Sequence, residues 1–319
     1  MIQRVLITGA SGFVGRALAA QLVARQNIEV LALTRAYPVN PVPGVRYFPV
    51  VDLAMPMQWD PAWTGLDAIV HAAARVHVLN DRTALSLGEF ERVNVAATLR
   101  LARQAAVMGV RRFVFLSSIG VNGVQTPVGA AFTEADRPSP HNAYALSKLN
   151  AERGLWDISV QTGLEVVIIR PPLVYGPGVR ANFAALMHAV QRGWPLPLGA
   201  VHNQRSLVAL DNLLDFVATC IFHPLAANQT FLVSDGHDLS SADLVRGLAR
   251  ALGKPARLLP VPVWALWAVA SSLGKRDVVQ RLCGSLRVDI SKARGVLGWV
   301  PHISVDEGLR RAVAGIKKR

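Results

Sequence analysis

Thr8-Gly-Ala-Ser-Gly-Phe-Val-Gly15 is the stretch of sequence that decides the fold of this chain. It follows a short apolar run, Arg4–Thr8, that is typical of a buried strand, and it overlaps an apolar segment, Gly12–Ala24, that is typical of a helix. Its three glycines allow a tight turn and a close approach of the backbone to a pyrophosphate, whose charge is stabilised at a helix N-terminus. The stretch therefore predicts a dinucleotide-binding turn between a strand and a helix.

Strands and helices alternate from this turn onward through the first half of the chain. Further strands are predicted at Glu29–Thr34, Val45–Val51, Ala68–His71, Arg112–Ser117 and Leu164–Arg170, and helices at Phe90–Met108 and Tyr144–Thr162. This order predicts an α/β fold, a Rossmann-type doubly wound parallel sheet that is covered on both faces by helices.

Glycine and proline punctuate the sequence after Pro171-Pro172, so we expect a second, smaller lobe at the carboxyl edge of the sheet, where such folds bind their ligands. We expect the dinucleotide-binding domain to hold residues 1–175 and a returning segment at about 206–236. Residues 176–205 and 237–319 then form the smaller, C-terminal substrate-binding lobe.

Composition limits the class of protein independently of the motifs. The chain has 319 residues, of which 51% are hydrophobic and 17% are charged, as in a packed globular protein. Cys220 and Cys283 are its only cysteines and lack the spacing of a metal site, so we predict two reduced structural thiols and no metal. The first residues enter a strand at once without a secretion signal, which leads us to expect a cytoplasmic protein.

An excess of positive charge and one long apolar stretch bear on the partners of the protein. The formal net charge is +13, but the basic residues are scattered, so we predict no nucleic-acid partner. The apolar stretch Leu258–Leu273 contains two prolines and is too short to span a bilayer. Trp264 and Trp267 share one helical face within it. A buried helix is the interpretation we favour, and a peripheral membrane contact is the alternative.

The end of the second predicted strand bears on the choice of cofactor. Sites for NAD usually place a carboxylate there for the ribose hydroxyls, whereas this strand ends in Thr34-Arg35. Arginine suits a 2′-phosphate, and one charge-assisted hydrogen bond contributes about 1.5–3 kcal/mol, so we predict that NADP(H) is preferred over NAD(H). A solvated Arg35 without a ligand is the alternative. The other residues expected around the dinucleotide are Gly9, Ser11, Gly12, Phe13, Val14, Gly15, Asp52, Leu53, Ala72, Ala73, Ala74, Ser117, Pro171 and Val174.

Tyr144-Ala-Leu-Ser-Lys148 provides a candidate pair for proton transfer. Residues four apart share one face of a helix, so both side chains can face the same cleft. A free phenol has a pKa of about 10, and lowering it to about 7 takes roughly 4 kcal/mol, which we expect the Lys148 ammonium and an oxidised nicotinamide to supply. Ser118, at the end of its strand, is placed to orient a substrate oxygen beside Tyr144. An ordinary pair on an amphipathic helix is the alternative interpretation.

In aggregate these motifs resemble those of the extended short-chain dehydrogenases/reductases, the NAD-dependent epimerase/dehydratase family, and in particular its UDP-glucose 4-epimerase-like and nucleotide-sugar 4-ketoreductase branch. The resemblance runs almost end to end. It covers Thr8–Gly15, Asp52-Leu53, His71–Ala74, Asn94-Val95, Ser117-Ser118, Tyr144–Lys148, Arg170–Gly178, Arg205–Asp211 and Val288–Trp299.

The resemblance implies roles for individual residues. It makes Tyr144 the acid/base, Lys148 its partner, Ser118 the ligand of the substrate oxygen and Asn94 a structural member of the site. The implied substrate is a UDP-sugar, which the resemblance places against Ser118, Asn182 and Arg205. Arg75 and His77, in the segment that follows the nicotinamide-side strand, are expected to line its sugar pocket. Arg281 or Arg287, neither of which closely matches a motif, is the candidate for a second cation. A helix cap or a surface charge is the alternative for Asn182 and Arg205. The resemblance also implies a homodimer built from the helices Phe90–Met108 and Tyr144–Thr162.

The reaction stays open between three interpretations. Arg35 favours an NAD(P)-dependent 4-ketoreductase. The resemblance implies a UDP-linked 4-keto-6-deoxy-N-acetylhexosamine as its substrate and a place in bacterial O-antigen sugar synthesis. A 4-epimerase of UDP-hexoses that retains NAD is the alternative. A dehydratase is disfavoured because Ile119-Gly120 stand where such relatives carry Asp-Glu. A non-catalytic dinucleotide-binding scaffold is the third interpretation, against which the presence of both Tyr144 and Lys148 argues.

Overall fold

The structure is a computed structural model that describes residues 3–50, 52–55, 59–75 and 85–315, without the side chains of residues 85–87. The expected sugar-pocket residue His77 lies outside these residues, as does the rest of segment 76–80.

A seven-stranded parallel sheet forms the centre of the molecule, in the order β3-β2-β1-β4-β5-β6-β9. In chain order the strands are β1 (Gln3–Thr8), β2 (Ile28–Thr34), β3 (Val45–Pro49), β4 (Ala68–His71), β5 (Arg112–Leu116), β6 (Glu165–Arg170), β7 (Leu173–Tyr175), β8 (Leu207–Ala209) and β9 (Gln229–Leu232). The pair β7–β8 forms a separate two-stranded parallel sheet. The predicted α/β fold of the doubly wound type is confirmed, with its switch point between β1 and β4.

Helices surround this sheet and continue into the second half of the chain. They are α1 (Phe13–Val23), α2 (Leu85–Phe90), α3 (Ala97–Val107), α4 (Ala143–Thr162), α5 (Ala181–Gln191), α6 (Leu210–Phe222), α7 (Ser241–Leu252), α8 (Val263–Ser272), α9 (Arg276–Cys283), α10 (Ser291–Leu297) and α11 (Val305–Ala314). A π-helical segment, Glu91–Ala96, joins α2 to α3. The helix predicted at Phe90–Met108 therefore corresponds to the end of α2, the π-helical segment and α3. The rest of α2, before Phe90, was not predicted.

Alternate residues of each central strand pack on opposite faces of the sheet. Val5 and Ile7 of β1 lie in a cluster with α1 and α6, whereas Leu6 lies in a second cluster with α3 and α4. Both faces are therefore buried, which is why the central strands are near-continuous apolar runs. This packing leaves the carboxyl ends of the strands as the exposed edge on which a ligand can bind.

A third hydrophobic cluster holds the smaller lobe together around α5, α7, α11 and the β7–β8 pair. A buried hydrogen-bond network anchors this lobe to the sheet. The Tyr175 hydroxyl donates to Asp235 (2.8 Å), which also accepts from Asn212 Nδ2 (2.7 Å) and from the Ala209 amide (2.8 Å). Residues 286–299, which include α10, pack with the first cluster on the main sheet.

Helix α8 departs from the buried helix that the sequence analysis favours. Ala270 is its one buried residue, while Trp264 is 74% exposed and Trp267 is 36% exposed. The expectation of a buried helix was therefore wrong: Val263 and Leu266 pack against the third cluster, but both tryptophans and Val269 remain exposed. Among the described residues, no helix combines the length and the apolar character needed to cross a membrane.

Candidate active site

A cleft of about 640 Å³ opens at the carboxyl edge of the sheet, at the switch point between β1 and β4. The residues that line it come from the glycine turn, from the ends of β2, β3 and β4, and from the π-helical segment. They are Gly9, Ser11, Gly12, Leu33, Thr34, Arg35, Val50, Asp52, Leu53, Ala72, Ala73, Ala74, Arg75, Arg92 and Val93. Nine of these were predicted from the sequence as cofactor contacts, and Arg75 was predicted as a substrate contact.

The glycine turn is shaped so that side chains are excluded from it. Gly9 has a φ of +69°, and a Cβ on it would lie 2.7 Å from the Ala73 amide nitrogen. A Cβ on Gly15 would lie 2.3 Å from the Gly9 carbonyl oxygen. The N-terminus of α1 has no side-chain cap and no acidic residue in its first turn. Its open amides can therefore bind a pyrophosphate. Phe13 and Val14 begin this helix and pack against the core.

The end of β2 carries two groups suited to a polar ligand. Thr34 Oγ1 is buried, and no residue that the structure describes gives it a hydrogen-bond partner. Arg35 follows it, exposed and on the lining of the cleft. A buried polar group without a partner is costly, so a ligand oxygen or hydroxyl at this point would stabilise the site. These observations fit a dinucleotide ribose or its phosphate.

Asp52, the predicted adenine-side contact, is held in place on the cleft lining by two other groups. Arg92 of the π-helical segment pairs with one carboxylate oxygen, and the Ala54 amide donates to the other at 2.9 Å. The hydrogen bond from Arg92 lowers the pKa of Asp52. The carboxylate therefore stays ionised and fixes the rim of the cleft, and Leu53 lies beside it on the lining.

Tyr144 and Lys148 lie on the first turns of α4. The helix begins at Asn142, whose side chain accepts from the Ala145 amide at 2.8 Å, so the tyrosine is in the first turn. The Lys148 ammonium donates to the Leu116 carbonyl at 2.7 Å and lies 5.9 Å from the centroid of the Tyr144 ring. Phe90 packs edge-on against that ring, with centroids 6.4 Å apart. The two side chains are thus neighbours, as the spacing predicts.

The pKa values of this pair differ from the expectation drawn from the sequence. Burial raises the pKa of Tyr144 to about 12, although the sequence analysis expects a fall. Burial lowers the pKa of Lys148 to about 7, and the nearby Glu152 carboxylate opposes that fall. Desolvation outweighs the charge of the lysine, so the protein chain by itself keeps the phenol protonated at neutral pH.

Asn94 connects the cleft to the helix that carries the tyrosine. Its Oδ1 accepts from the Arg75 amide (2.8 Å), and its Nδ2 donates to the Arg75 carbonyl (3.1 Å) and to Ser147 Oγ (3.0 Å). Ser147 in turn donates to the Tyr144 carbonyl at 2.8 Å. Asn94 lies in the π-helical segment, a geometry that is frequent at functional sites. The sequence analysis missed Ser147, although it directly precedes Lys148.

Ser117 and Ser118 diverge at the end of β5. The Ser118 hydroxyl accepts from the Gly120 amide at 3.1 Å, which leaves its hydrogen free to donate, and a Cβ on Gly120 would lie 3.4 Å from Ala145 Cβ. Ser118 is therefore close to the start of α4. Ser117 is buried, with its hydroxyl donating to Glu152 and its amide to the Ile169 carbonyl. Both groups are used within the protein, and the role of Ser117 as a cofactor contact stays a prediction.

A buried ion pair that the sequence analysis missed, between Glu152 and Arg170, lies one helical turn beyond Lys148. Glu152, one turn after Lys148, binds both Nε (3.0 Å) and Nη2 (2.5 Å) of Arg170, and Arg170 Nη1 donates to Asn122 at 3.0 Å. The spacing of Glu152 from Lys148 was the only signal in the sequence. Pro171 and Val174 follow Arg170, and neither lines the described cleft.

His71, at the end of β4, is a core residue. Its Nδ1 is 2.8 Å from Thr8 Oγ1 and its Nε2 is 2.9 Å from Thr98 Oγ1. The ring stacks on Phe115, with centroids 5.9 Å apart. Burial lowers the pKa of His71 to about 3, so the imidazole is neutral and holds the strand end rather than transferring protons.

The predicted substrate residues of the smaller lobe fall into two groups. Asn182 is exposed in the first turn of α5, whose N-terminus has no side-chain cap. Arg205 is partly buried and donates to the Gly284 carbonyl at 3.0 Å. Gly284 directly follows α9, the helix that carries the exposed Arg281. Arg287 instead pairs with Asp238 at 2.7 Å. Arg205 and α9 thus meet at one point of the lobe, and Arg287 is the less suitable second cation.

The fold and the cleft together define a doubly wound α/β protein with an open cleft at the switch point of its sheet. A model of the NAD dependent epimerase/dehydratase family matches residues 5–233. The chain belongs to this family, so the family and the enzymatic nature predicted from the sequence are confirmed.

Similar proteins of known name extend the comparison. A Vibrio cholerae protein named UDP-glucose 4-epimerase is 46% identical, covering 98% of this chain and 94% of that protein. An Escherichia coli O157:H7 protein named N-acetyl-alpha-D-glucosaminyl-diphospho-ditrans,octacis-undecaprenol 4-epimerase is 27% identical, covering 98% and 95% respectively. The solved structure of UDP-glucuronic acid 4-epimerase from Bacillus cereus in complex with NAD has a TM-score of 0.78 at 20% identity, covering 99% of this chain and 97% of that one, which shows the shared fold.

Proposed function

We propose that this protein is an NADPH-dependent 4-ketoreductase of a UDP-linked 4-keto-6-deoxy-N-acetylhexosamine, serving bacterial surface-polysaccharide (O-antigen) synthesis. The observation that carries the reductive direction is Arg35, which lines the cleft at the end of β2 where NAD sites usually place a carboxylate. A guanidinium there favours a 2′-phosphorylated cofactor. A reductase consumes its cofactor in each turnover, and NADPH is the usual source of reducing equivalents for synthesis.

Tyr144 of α4 supplies the proton for this reaction, assisted by Lys148 and by Ser118, which follows β5. A bound NADPH would supply the hydride for C4 of the sugar. Because the pKa of Tyr144 is about 12, its phenol is protonated at neutral pH, the state that a donor to O4 needs. The Lys148 ammonium, 5.9 Å from the centroid of the phenol ring, stabilises the phenolate that remains. Ser118 donates its free hydroxyl hydrogen to the same substrate oxygen and so orients it.

The diphosphate of the substrate would be held by the smaller lobe. Arg281 lies in the last turn of α9, and Arg205 binds the carbonyl of Gly284 directly after that helix, so both offer guanidinium groups near the same point. The uncapped N-terminus of α5, beside Asn182, offers backbone amides. A pyrophosphate needs such donors, and guanidinium pairs with phosphate oxygens are among the strongest hydrogen bonds in proteins. Burial lowers the pKa of Arg205, but a guanidinium stays charged at neutral pH.

The purified enzyme with NADPH and a UDP-linked 4-keto-6-deoxy-N-acetylhexosamine tests this proposal. A reductase oxidises one NADPH for each 4-keto sugar consumed, and the absorbance of the nicotinamide falls in proportion. Absence of any NADPH oxidation, together with interconversion of UDP-hexoses without added cofactor, would contradict the proposal and establish the second candidate.

The second candidate is a 4-epimerase of a UDP-hexose or UDP-N-acetylhexosamine that retains NAD. The 46% identity to a protein named UDP-glucose 4-epimerase favours it. Epimerisation returns the hydride to the same sugar, so a tightly held NAD would remain with the protein during purification. Release of NAD on denaturing the purified protein distinguishes this candidate from the reductase.

We also propose that the chain forms a homodimer through α3 and α4. These helices pack on each other, and at their C-terminal ends they expose the apolar side chains Val107 and Val160. Light scattering on the eluted protein tests this. A dimer that Val160→Asp converts to a monomer is the expected result, and a monomeric parent protein would contradict it.

A further inference from the structure

We propose that helix α8 lies on the surface of an anionic phospholipid bilayer, with Trp264 and Trp267 inserted at the level of the headgroups. This inference does not depend on which reaction the enzyme performs, because its residues are outside the cleft and outside the diphosphate-binding groups of the smaller lobe.

Much of the apolar surface of α8 is exposed: Val263 and Leu266 pack against the third hydrophobic cluster and the helix contacts α9, whereas both tryptophans remain exposed. The helix reads Val-Trp-Ala-Leu-Trp-Ala-Val-Ala-Ser-Ser from residue 263 to 272, and Ala270 is its one buried member. Trp264 is 74% exposed, and Leu259, Trp267, Val269 and Leu273 in the same stretch of chain are exposed as well. Several exposed large apolar residues in one short segment indicate an interaction site, whereas single exposed apolar residues are ordinary.

Basic residues flank the stretch that contains α8 at both ends of its sequence. Lys254 and Arg257 precede the uncharged stretch, and Lys275 and Arg276 follow it. All four are exposed, and none of them forms an ion pair with the part of the chain that the structure describes. Between residues 254 and 283 the sequence has five basic residues and a single acidic one, Asp277. Positive charge beside an apolar helix is complementary to an anionic headgroup layer. Binding to a neutral membrane or to a purely apolar partner would not require this charge.

The length and composition of α8 fit a helix that lies in the interface. Ten residues span about 15 Å, roughly half of the hydrocarbon core of a bilayer, so the helix cannot cross it. Tryptophan prefers the membrane–water interface because its ring is apolar and its N–H is polar. The helix therefore has the anchors of a surface-bound segment.

The position of α8 relates the proposed membrane contact to the substrate lobe. Residues 196 and 258 pair at the start of the apolar stretch, and α8 packs against α9 at its end. α9 is followed by Gly284, whose carbonyl accepts from Arg205. The membrane-facing surface and the proposed diphosphate-binding residues thus belong to one continuous part of the lobe.

Sedimentation with lipid vesicles tests the inference on the full-length protein. The parent protein is mixed with vesicles of phosphatidylcholine alone and of equal parts phosphatidylcholine and phosphatidylglycerol. We expect binding to the mixed vesicles that weakens as salt is raised, and at least about tenfold weaker binding to the neutral ones. The double variant Trp264→Ser/Trp267→Ser should lose at least about tenfold in affinity for the mixed vesicles, because it no longer buries two aromatic side chains.

Two further variants separate the contributions of the apolar surface and the charge. Lys275→Gln/Arg276→Gln should weaken binding by roughly tenfold or more while leaving the apolar surface intact. Leu225→Ser removes an apolar side chain that is 60% exposed just before β9, at the amino edge of the sheet, and should bind like the parent. All variants should unfold at the parent temperature, since the changed residues are exposed.

Three results would overturn the inference. The first is a parent protein that stays in the supernatant with both kinds of vesicle, and the second is a tryptophan double variant that sediments like the parent. The third is a dimer of the parent that this double variant abolishes without any lipid present, which would show that a second copy of the chain covers α8.

Discussion

The Lys148 ammonium donates a 2.7 Å hydrogen bond to the carbonyl of Leu116, the last residue of β5. This bond ties the helix that carries Tyr144 to the strand end that carries Ser118. It also keeps the ammonium in a desolvated position, which is why the pKa of Lys148 falls to about 7. The charge beside the phenol therefore depends on pH in the neutral range.

The first prediction concerns the pH dependence of reduction. Below its pKa of about 7 Lys148 is charged and stabilises the developing phenolate, and above it the charge is lost. We expect kcat/KM for NADPH-dependent reduction to fall as pH rises through about 7. Lys148→Arg cannot lose its charge, so its residual activity should show no such fall. A parent profile that rises through the same range would contradict this role.

The second prediction concerns cofactor choice. Arg35→Asp removes the guanidinium at the end of β2 and should weaken NADPH binding about ten- to a hundredfold, since one charge-assisted hydrogen bond is worth about 1.5–3 kcal/mol. NADH binding should change little. Arg111→Asp is the matched control, because Arg111 is an exposed arginine just before β5, at the opposite edge of the sheet. Fluorescence titration measures both affinities, and equal loss of NADPH binding in the two variants would count against the assignment.

The third prediction concerns stability at acid pH. His71 has a pKa of about 3 in the folded protein and its ordinary value of 6.5 in the unfolded chain, so only the unfolded chain takes up a proton between these values. The contribution of neutral His71 to the free energy of unfolding is fully present above about pH 6.5 and is lost as pH falls towards about 3. Between about pH 7 and about pH 5 the protein should lose roughly 2 kcal/mol of unfolding free energy through this residue. In urea unfolding, His71→Gln should lack this part of the pH dependence, and identical pH dependence in both proteins would refute the assignment.

The fourth prediction concerns the ion pair behind the site. The side chains of Glu152 and Arg170 are 2% and 7% exposed, so removing one leaves a buried charge. Glu152→Ala should cost about 3–5 kcal/mol of stability. The double variant Glu152→Ala/Arg170→Met should recover a large part of that loss, because no unpaired charge remains. Denaturant unfolding of the parent, single and double variants measures this, and a double variant less stable than the single one would contradict it.

Sequence reasoning located the cleft because its chemistry lies in local patterns. The glycine turn, Arg35 and the spacing of Tyr144 and Lys148 are each readable within a few residues. The partners of these residues come from distant segments and left no such pattern: Asn94 reaches the Arg75 backbone, Arg92 reaches Asp52, and Arg170 reaches Glu152. Only the fold brings them together.

The two misjudged features share a physical origin, which is burial that a sequence does not specify. The pKa of Tyr144 was expected to fall through the charges of Lys148 and an oxidised nicotinamide, whereas the desolvation that raises it in the protein chain itself is not visible in the sequence. The apolar content of α8 predicted a buried helix, yet only Ala270 is fully buried and both tryptophans are exposed. In both cases the residue types were read correctly and their surroundings were not.

Replacement of Tyr144 by phenylalanine tests the central claim most directly. The variant removes only the hydroxyl, so NADPH binding and the unfolding temperature should stay close to those of the parent protein. Reduction of the 4-keto sugar should fall by at least about 10²–10⁴, the range that general acid catalysis supplies. Turnover by Tyr144→Phe at the parent rate would show that this phenol is not the proton donor.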